Sequence, residues 1–193
     1  MRKIILASGS PRRRELLSKI TDKFMIEISD LEEITTKTKA EEIVLELSLL
    51  KANDIANKYI NNCIVIGADT MVSLHDKVLG KPKDRQDAFR MLRAMSNEKH
   101  QVYTGVTIII KDEEGHSKTI SFVERSDVYV NDLSDNEIEE YLNTGEPFDK
   151  AGAYGIQGKF GIHIGRIEGD YYNIVGFPVA RIYKELKTEG INI

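Results

Sequence analysis

A chain of 193 residues with 41% hydrophobic and 30% charged side chains has the balance of an ordinary globular unit, long enough for one sizeable core or two small lobes. Its formal charge of -4 argues against a surface that coats nucleic acid, while leaving room for one local basic pocket. Cys63 is the only cysteine and His75, His100, His116 and His163 lack zinc-ligand spacing, which excludes a disulfide scaffold and a zinc cage.

The opening MRKIILAS predicts a strand over residues 3 to 7. Its apolar stretch of about five residues is too short for a signal-peptide core, and no run approaches the roughly 20 apolar residues of a membrane span. The expectation is therefore a cytoplasmic protein without a membrane partner. Ser8-Gly9-Ser10-Pro11 then turns the chain into a helix expected over residues 11 to 20, with Ser10 as N-cap, Pro11 at the first helical position and Leu16, Leu17 and Ile20 buried. Arg12, Arg13 and Arg14 fall in its first turn, where each cation opposes the helix dipole by about 0.3 to 1 kcal/mol unless something negative answers it. Free N–H groups at a helix start, joined by the planar forks of Arg12 and Arg13, suit phosphate oxygens. Because successive helical residues diverge by about 100°, the three arginines do not all face one ligand; a solvated cluster offset by Glu15 is the alternative.

A strand is predicted near 24 to 28, followed by Glu32 and Glu33, which are either carboxylates for a metal or simply solvated. The helix expected over 40 to 59 carries an apolar stripe of Val44, Leu47 and Ile55 into which Lys51 intrudes. Lys51 either snorkels to the surface or lines a cleft and meets an anion. Two strands are predicted next, at 63 to 68 and 70 to 74, with Gly67-Ala68 ending the first and delivering Asp69 and Thr70 at its carboxyl end, where ligands sit in open α/β sheets. Asp69 there is a general base, a ligand for a divalent cation, or a turn former. Lys81 follows in the constrained loop Leu79-Gly80-Lys81-Pro82, which is not a P-loop because His75 and Pro82 stand where Gly and Ser or Thr are needed.

Asp84 caps a helix over 85 to 95 whose apolar face is Ala88, Phe89, Leu92 and Met95. Long strands at 101 to 111 and 118 to 130 form a hairpin closed by Lys111-Asp112-Glu113-Glu114-Gly115, and Ser134 with Glu137 makes a capping box for a helix over 135 to 143. In FDKAGAYGIQG, residues 148 to 158, three glycines free the backbone to wrap a ligand, or the segment is a plain flexible turn. Gln157 there has both a donor and an acceptor, as reading the carbonyl and N–H of a base edge requires. A last helix is expected over 178 to 187. Strands and helices intermix throughout, giving an α/β or mixed α+β unit, bilobed around a cleft.

Together, Ser8-Gly9-Ser10-Pro11-Arg12-Arg13, Glu33, Lys51, Gly67-Ala68-Asp69-Thr70, Gly80-Lys81-Pro82, DKAGAYGIQG, Gly169-Asp170-Tyr171-Tyr172-Asn173 and Gly176-Phe177-Pro178 resemble the Maf family of nucleoside triphosphate pyrophosphatases. The likeness covers nearly the whole chain, as one domain over residues 1 to 193. It implies a central twisted mixed sheet flanked by helices, two lobes around a deep cleft, distantly like inosine triphosphate pyrophosphatases, and a homodimer. It implies hydrolysis of a nucleoside triphosphate to monophosphate and pyrophosphate, and YGIQG is similar to the branch acting on dTTP, UTP and some modified uridine triphosphates. Carried over by residue, Asp69 is the proton acceptor for water, Arg12, Thr70 and Gln157 match positions tied to substrate choice, and Arg13, Lys51 and Lys81 hold phosphates. Ser8 and Ser10 belong to the substrate site, and Glu33, with Asp69 sharing, holds a divalent metal, Mg2+ or Mn2+. The rival readings are a nucleotide-binding regulatory module of the kind linked to arrest of cell division, and a nucleic-acid binder, which the acidic balance disfavours.

Overall fold

In the computed structural model, residues 2–191 are described; Met1, Asn192 and Ile193, the ends of the expected 1–193 unit, lie outside them. The alternation of the first strand assigns its two faces: β1 (Lys3–Ala7) sends Ile4 and Leu6 into one core and Ile5 and Ala7 into another. In chain order there follow α1 (Pro11–Leu17), β2 (Met25–Ile26), α2 (Ala40–Ala56), β3 (Cys63–Leu74), β4 (Lys77–Leu79), α3 (Arg85–Met95), β5 (Lys99–Lys111) and β6 (Ser117–Val130). The chain ends with α4 (Asp135–Leu142), three short 3-10 turns, β7 (Ile164–Glu168), α5 (Tyr171–Val175) and α6 (Val179–Thr188). One mixed sheet runs in the order β2-β1-β3-β5-β6-β7, with β4 attached to β3. Pairing is parallel among β2, β1 and β3 and antiparallel from β3 onward.

Three apolar clusters build the two lobes. Leu16, Leu17, Ile182 and Leu186 cover Ile64, Ile66 and Ile108 on one sheet face, while Ala52 and Ile55 of α2 cover Ile5, Val65 and Ile109 on the other. Beyond the middle of the long strands, Leu92, Met95, Ile138 and Phe160 pack on Val72, Val102 and Val128 to form the second lobe. Each of the aliphatic side chains buried here contributes roughly 1.5 to 3 kcal/mol. β3, β5 and β6 belong to both lobes, and the cleft lies where the two cores part.

Two glycines set how closely α2 sits on the sheet. A Cβ on Gly67 would lie 2.5 Å from the Ser48 carbonyl oxygen, and one on Gly105 would collide with the Val44 carbonyl. This close approach corrects the reading of residues 63 to 74: Gly67-Ala68 does not end a strand, because β3 is continuous through Asp69 and Thr70 to Leu74. Asp69 therefore sits in mid-strand, paired with Gly105. The small residues mark where a helix backbone meets the sheet, which glycine in a strand also signals. The predicted 24 to 28 strand shrinks to two residues, the 11 to 20 and 40 to 59 helices stop at Leu17 and Ala56, and β4, β7 and α5 are additional. The predicted caps at Ser10, Asp84 and Ser134 are all present, the last as a full capping box.

Candidate active site

A cleft of about 340 Å³ opens between the lobes, and all the residues singled out for the site line it except Ser8. Ser10, Arg12 and Arg13 come from the start of α1, Glu33 from the irregular segment before α2, Lys51 from α2, Asp69 and Thr70 from β3, Lys81 from the loop after β4, and Gln157 from the glycine-rich turn. Ser8 is buried behind the lining, where its Oγ accepts from the Ser10 N–H and from Arg13 Nη1, each at 3.3 Å.

The stripe-breaking Lys51 does not snorkel. Its Nζ donates to Asp69 Oδ1 at 2.7 Å and lies 2.9 Å from Glu33 Oε1, with the lysine side chain 14% and Asp69 9% exposed. The distances follow from packing, since Gly67 and Gly105 let α2 down onto β3 and so bring an ammonium against a mid-strand carboxylate. Burial pushes the Asp69 pKa above its ordinary value; Lys51 and Arg13 oppose that shift and Glu33 adds to it. The other oxygen, Asp69 Oδ2, is buried and has no hydrogen-bond partner among the described residues. A carboxylate that lines the cleft and keeps one oxygen free of partners can take a proton from water or ligate a hard cation. Glu33 beside it supplies a second oxygen, so the pair fits Mg2+ or Mn2+ by donor chemistry. A separate group, Asp112, Glu114 and His116, offers three ligand atoms within 4.8 Å of one another on the β5–β6 hairpin loop, and none of it lines the cleft.

Arg13 is built in rather than left to reach outward. Its Nε donates to the Gly176 carbonyl at 2.9 Å, Nη1 to the Ala68 carbonyl at 2.8 Å and to Ser8, and Nη2 to Thr70 Oγ1 at 3.1 Å. Four of the five N–H groups of a guanidinium are thereby spent within the protein, leaving one to face the cleft. Gly176 ends α5 at φ 109°, a left-handed conformation that suits glycine and turns its carbonyl toward Arg13. Burial lowers the Arg13 pKa, with nearby Asp69 opposing the shift. The cations with more freedom are Arg12 and Lys81; Lys150, signalled only as a polar member of the glycine-rich turn, also lines the cleft, its Nζ donating to the Glu146 carbonyl at 2.8 Å and to Asp149 Oδ1 at 2.6 Å. Ile174, Val175 and Gly176 also line the cleft; α5 is five residues long, too short to show a period in the sequence.

Comparison with known proteins agrees with this architecture. The model of the family described as Maf-like protein matches residues 3–189. A dTTP/UTP pyrophosphatase from Lachnoclostridium phytofermentans is 51% identical over 193 residues, covering 100% of this chain and 98% of its own. Proteins of the same name from Agathobacter rectalis and Bacillus cereus are 45% identical over 205 residues and 47% over 194, each matching 100% of this chain and 100% and 98% of their own lengths. Among solved structures, the Ham1 protein of Staphylococcus aureus and a HAM1 protein from Coxiella burnetii superpose with TM-scores of 0.51 and 0.53 at 14% and 12% identity, covering 97% of this chain and 100% of each of theirs. That likeness shows the fold, a mixed sheet flanked by helices. With nearly its whole length matched by the family model, and relatives close to half identical end to end, the chain belongs to the Maf family.

Proposed function

We propose that this protein hydrolyses nucleoside triphosphates, dTTP and UTP foremost, to the monophosphate and pyrophosphate. The observation that carries the reading is the buried, unpaired Oδ2 of Asp69 at the wall of a cleft ringed by Arg12, Arg13, Lys81 and Lys150. Asp69 accepts a proton from a water that attacks the α-phosphorus; the new oxygen–phosphorus bond replaces the bond to the bridging oxygen, and pyrophosphate leaves. Lys51 holds the Asp69 carboxylate in place through Oδ1, and the raised pKa makes the free oxygen a better base at neutral pH. The cations around the cleft match the charge that builds on phosphate oxygens and on the leaving group. Glu33 and Asp69 are the residues that would hold a divalent cation, whose chemistry is charge stabilisation at phosphate oxygens. A free base beside a cationic cleft suits turnover, whereas a module that only binds nucleotide has no use for it.

The relatives' names support the choice of dTTP and UTP, and Gln157, exposed on the glycine-rich turn at the cleft, is the group proposed to donate its amide to a carbonyl of the base edge. The reading places the reaction in the cytoplasm, in a homodimer, the latter checked by sedimentation. No helix of the described residues is long and apolar enough to cross a membrane. The test is to incubate the pure protein and Mg2+ or Mn2+ with a panel of triphosphates, assaying pyrophosphate and orthophosphate separately. Equal amounts of monophosphate and pyrophosphate, with dTTP and UTP turned over fastest, are expected; orthophosphate with diphosphate left behind would overturn the reaction.

A further inference from the structure

Behind Thr70 lies a chain of buried hydroxyls whose hydrogens can be placed by counting acceptors. Thr70 Oγ1 and Thr104 Oγ1, on directly paired residues of β3 and β5, are 3.0 Å apart, and Thr104 Oγ1 is 2.9 Å from the Asn173 carbonyl oxygen. A carbonyl only accepts, so the Thr104 hydrogen goes to Asn173, and Thr104 is left to accept from Thr70. The reverse arrangement would point the Thr104 hydrogen at Thr70 and leave Thr104 Oγ1 and the Asn173 carbonyl oxygen 2.9 Å apart with no hydrogen between them, which sets two lone pairs against each other. Arg13 Nη2, which only donates, approaches Thr70 Oγ1 at 3.1 Å and takes one of its lone pairs.

The anchor at the far end is equally directed. Asn173 is fully buried; its Nδ2 donates to the Val102 carbonyl at 3.1 Å and to Ser126 Oγ at 2.9 Å, and Ser126 Oγ donates in turn to the Asp170 carbonyl at 2.9 Å. Every hydrogen in the chain thus ends on a backbone carbonyl or is passed toward one, and none is left to turn toward the cleft. Thr70, which lines the cleft, has one lone pair over and no hydrogen to give.

We infer that Thr104 is a positioning residue that fixes the Thr70 hydroxyl as a pure hydrogen-bond acceptor, so that Thr70 selects nucleotides presenting a ring N–H and rejects those presenting a lone pair there. The inference rests on the pyrophosphatase reading and deepens it. An acceptor repels phosphate oxygens, so Thr70 serves the nucleoside end of the ligand. The donors that dTTP and UTP share are the 3′-hydroxyl and the N3–H of the base; CTP has the same 3′-hydroxyl but a lone pair at N3. Only the base nitrogen separates them, and an acceptor of fixed polarity discriminates at that atom because a mismatched pair sets two lone pairs against each other.

The test compares kcat/KM for UTP, dTTP and CTP in wild type, Thr104→Val and Thr104→Ser, each also in a Thr70→Val background. Thr104→Val keeps the shape and removes the hydroxyl, freeing Thr70 to rotate and donate; the UTP:CTP ratio should fall by about tenfold. Thr104→Ser should restore the ratio, and in the Thr70→Val background Thr104→Val should change it no further. Thr104→Ala, run in parallel with thermal unfolding, provides a second hydroxyl-free variant should the valine fail to fold. An unchanged ratio in a folded hydroxyl-free variant, or a fall that persists in the Thr70→Val background, overturns the inference while leaving the pyrophosphatase reading standing. A wild type that turns over none of the three nucleotides overturns that reading, and this inference with it.

Discussion

The two walls of the cleft are held by different forces. On the α2 side, Glu33, Lys51 and Asp69 form a chain of charges in which one ammonium serves two carboxylates. On the α1 and α5 side, Arg13, Thr70, Thr104 and Asn173 are joined by directed hydrogen bonds that end on backbone carbonyls. Charges in a partly dry site respond to pH and to any ion that enters, because each neighbour's protonation alters the others. Hydrogen bonds anchored on carbonyls have no such freedom. The first wall is suited to moving protons and the second to keeping a fixed pattern of donors and acceptors.

The largest expected effect comes from breaking the charged wall at its centre. Asp69→Asn preserves shape while removing the base, and should lower kcat by about 10²-fold or more with the fold intact by circular dichroism. Most of the activity surviving in a folded variant would reduce Asp69 to a structural residue. The matching break in the other wall is Arg13→Lys, which keeps the charge but loses the fork that spans Gly176, Ala68 and Thr70. A single ammonium cannot span them, so urea unfolding should show a loss of about 2 kcal/mol. A variant as stable as wild type would show that the fork holds nothing together.

The smallest effect sharpens the contrast through pH. Lys51→Met keeps the aliphatic stem on the stripe of α2 and deletes the charge, so the KM for UTP should rise or kcat fall by about tenfold. Lys51 is a principal influence holding the Asp69 pKa down against burial. Without it that pKa rises further, and the acid limb of the kcat/KM profile should move to higher pH than in wild type. The stability change has a defined sign. A carboxyl whose pKa is raised in the folded state binds its proton more tightly there than in the unfolded chain, so its contribution is present at low pH and lost as pH rises through the raised value. Lys51→Met should therefore lose stability relative to wild type on going from acid to neutral pH. Coincident pH profiles for the two proteins would remove Lys51 from the site.

What the sequence revealed of these walls depended on whether a local rule was being obeyed or broken. Ser10 and Pro11 obey the rules for a helix start, and the helix begins there. Lys51 breaks the rule of an apolar stripe, and the break marked its ion pairs with Asp69 and Glu33. Gly67-Ala68 misled because small residues punctuate both turns and close packing, and only the position of α2 decides between them. Arg13 read as an outward phosphate fork because its four internal acceptors come from residues distant in sequence as well as near, with Gly176 lying 163 positions away. β7, with the weak alternation IGRIE, and α5, with five residues, carry too few apolar positions for a period to stand out. The Thr104–Asn173 bond joins residues 69 positions apart, and although Asn173 stands in a recognisable motif, nothing in that motif points to Thr104.

The continuity of β3 also determines how the molecule can yield mechanically. Its ladder with β5 runs unbroken from Cys63 opposite Lys111 to Ser73 opposite Gln101, and the β5–β6 ladder from Lys99 opposite Tyr129 to Lys111 opposite Ser117. Two lobes joined by an ordinary linker swing on a few torsions, but here three long strands cross from one to the other with their backbone pairing intact. Such a span behaves as a leaf spring, whose deformation is spread along every rung as a change in sheet twist. Separating the lobes by a large angle would cost many rungs at once. Larger excursions at the mouth are therefore left to the irregular segments around it, residues 27 to 39, which carry Glu33, and residues 80 to 84, which carry Lys81.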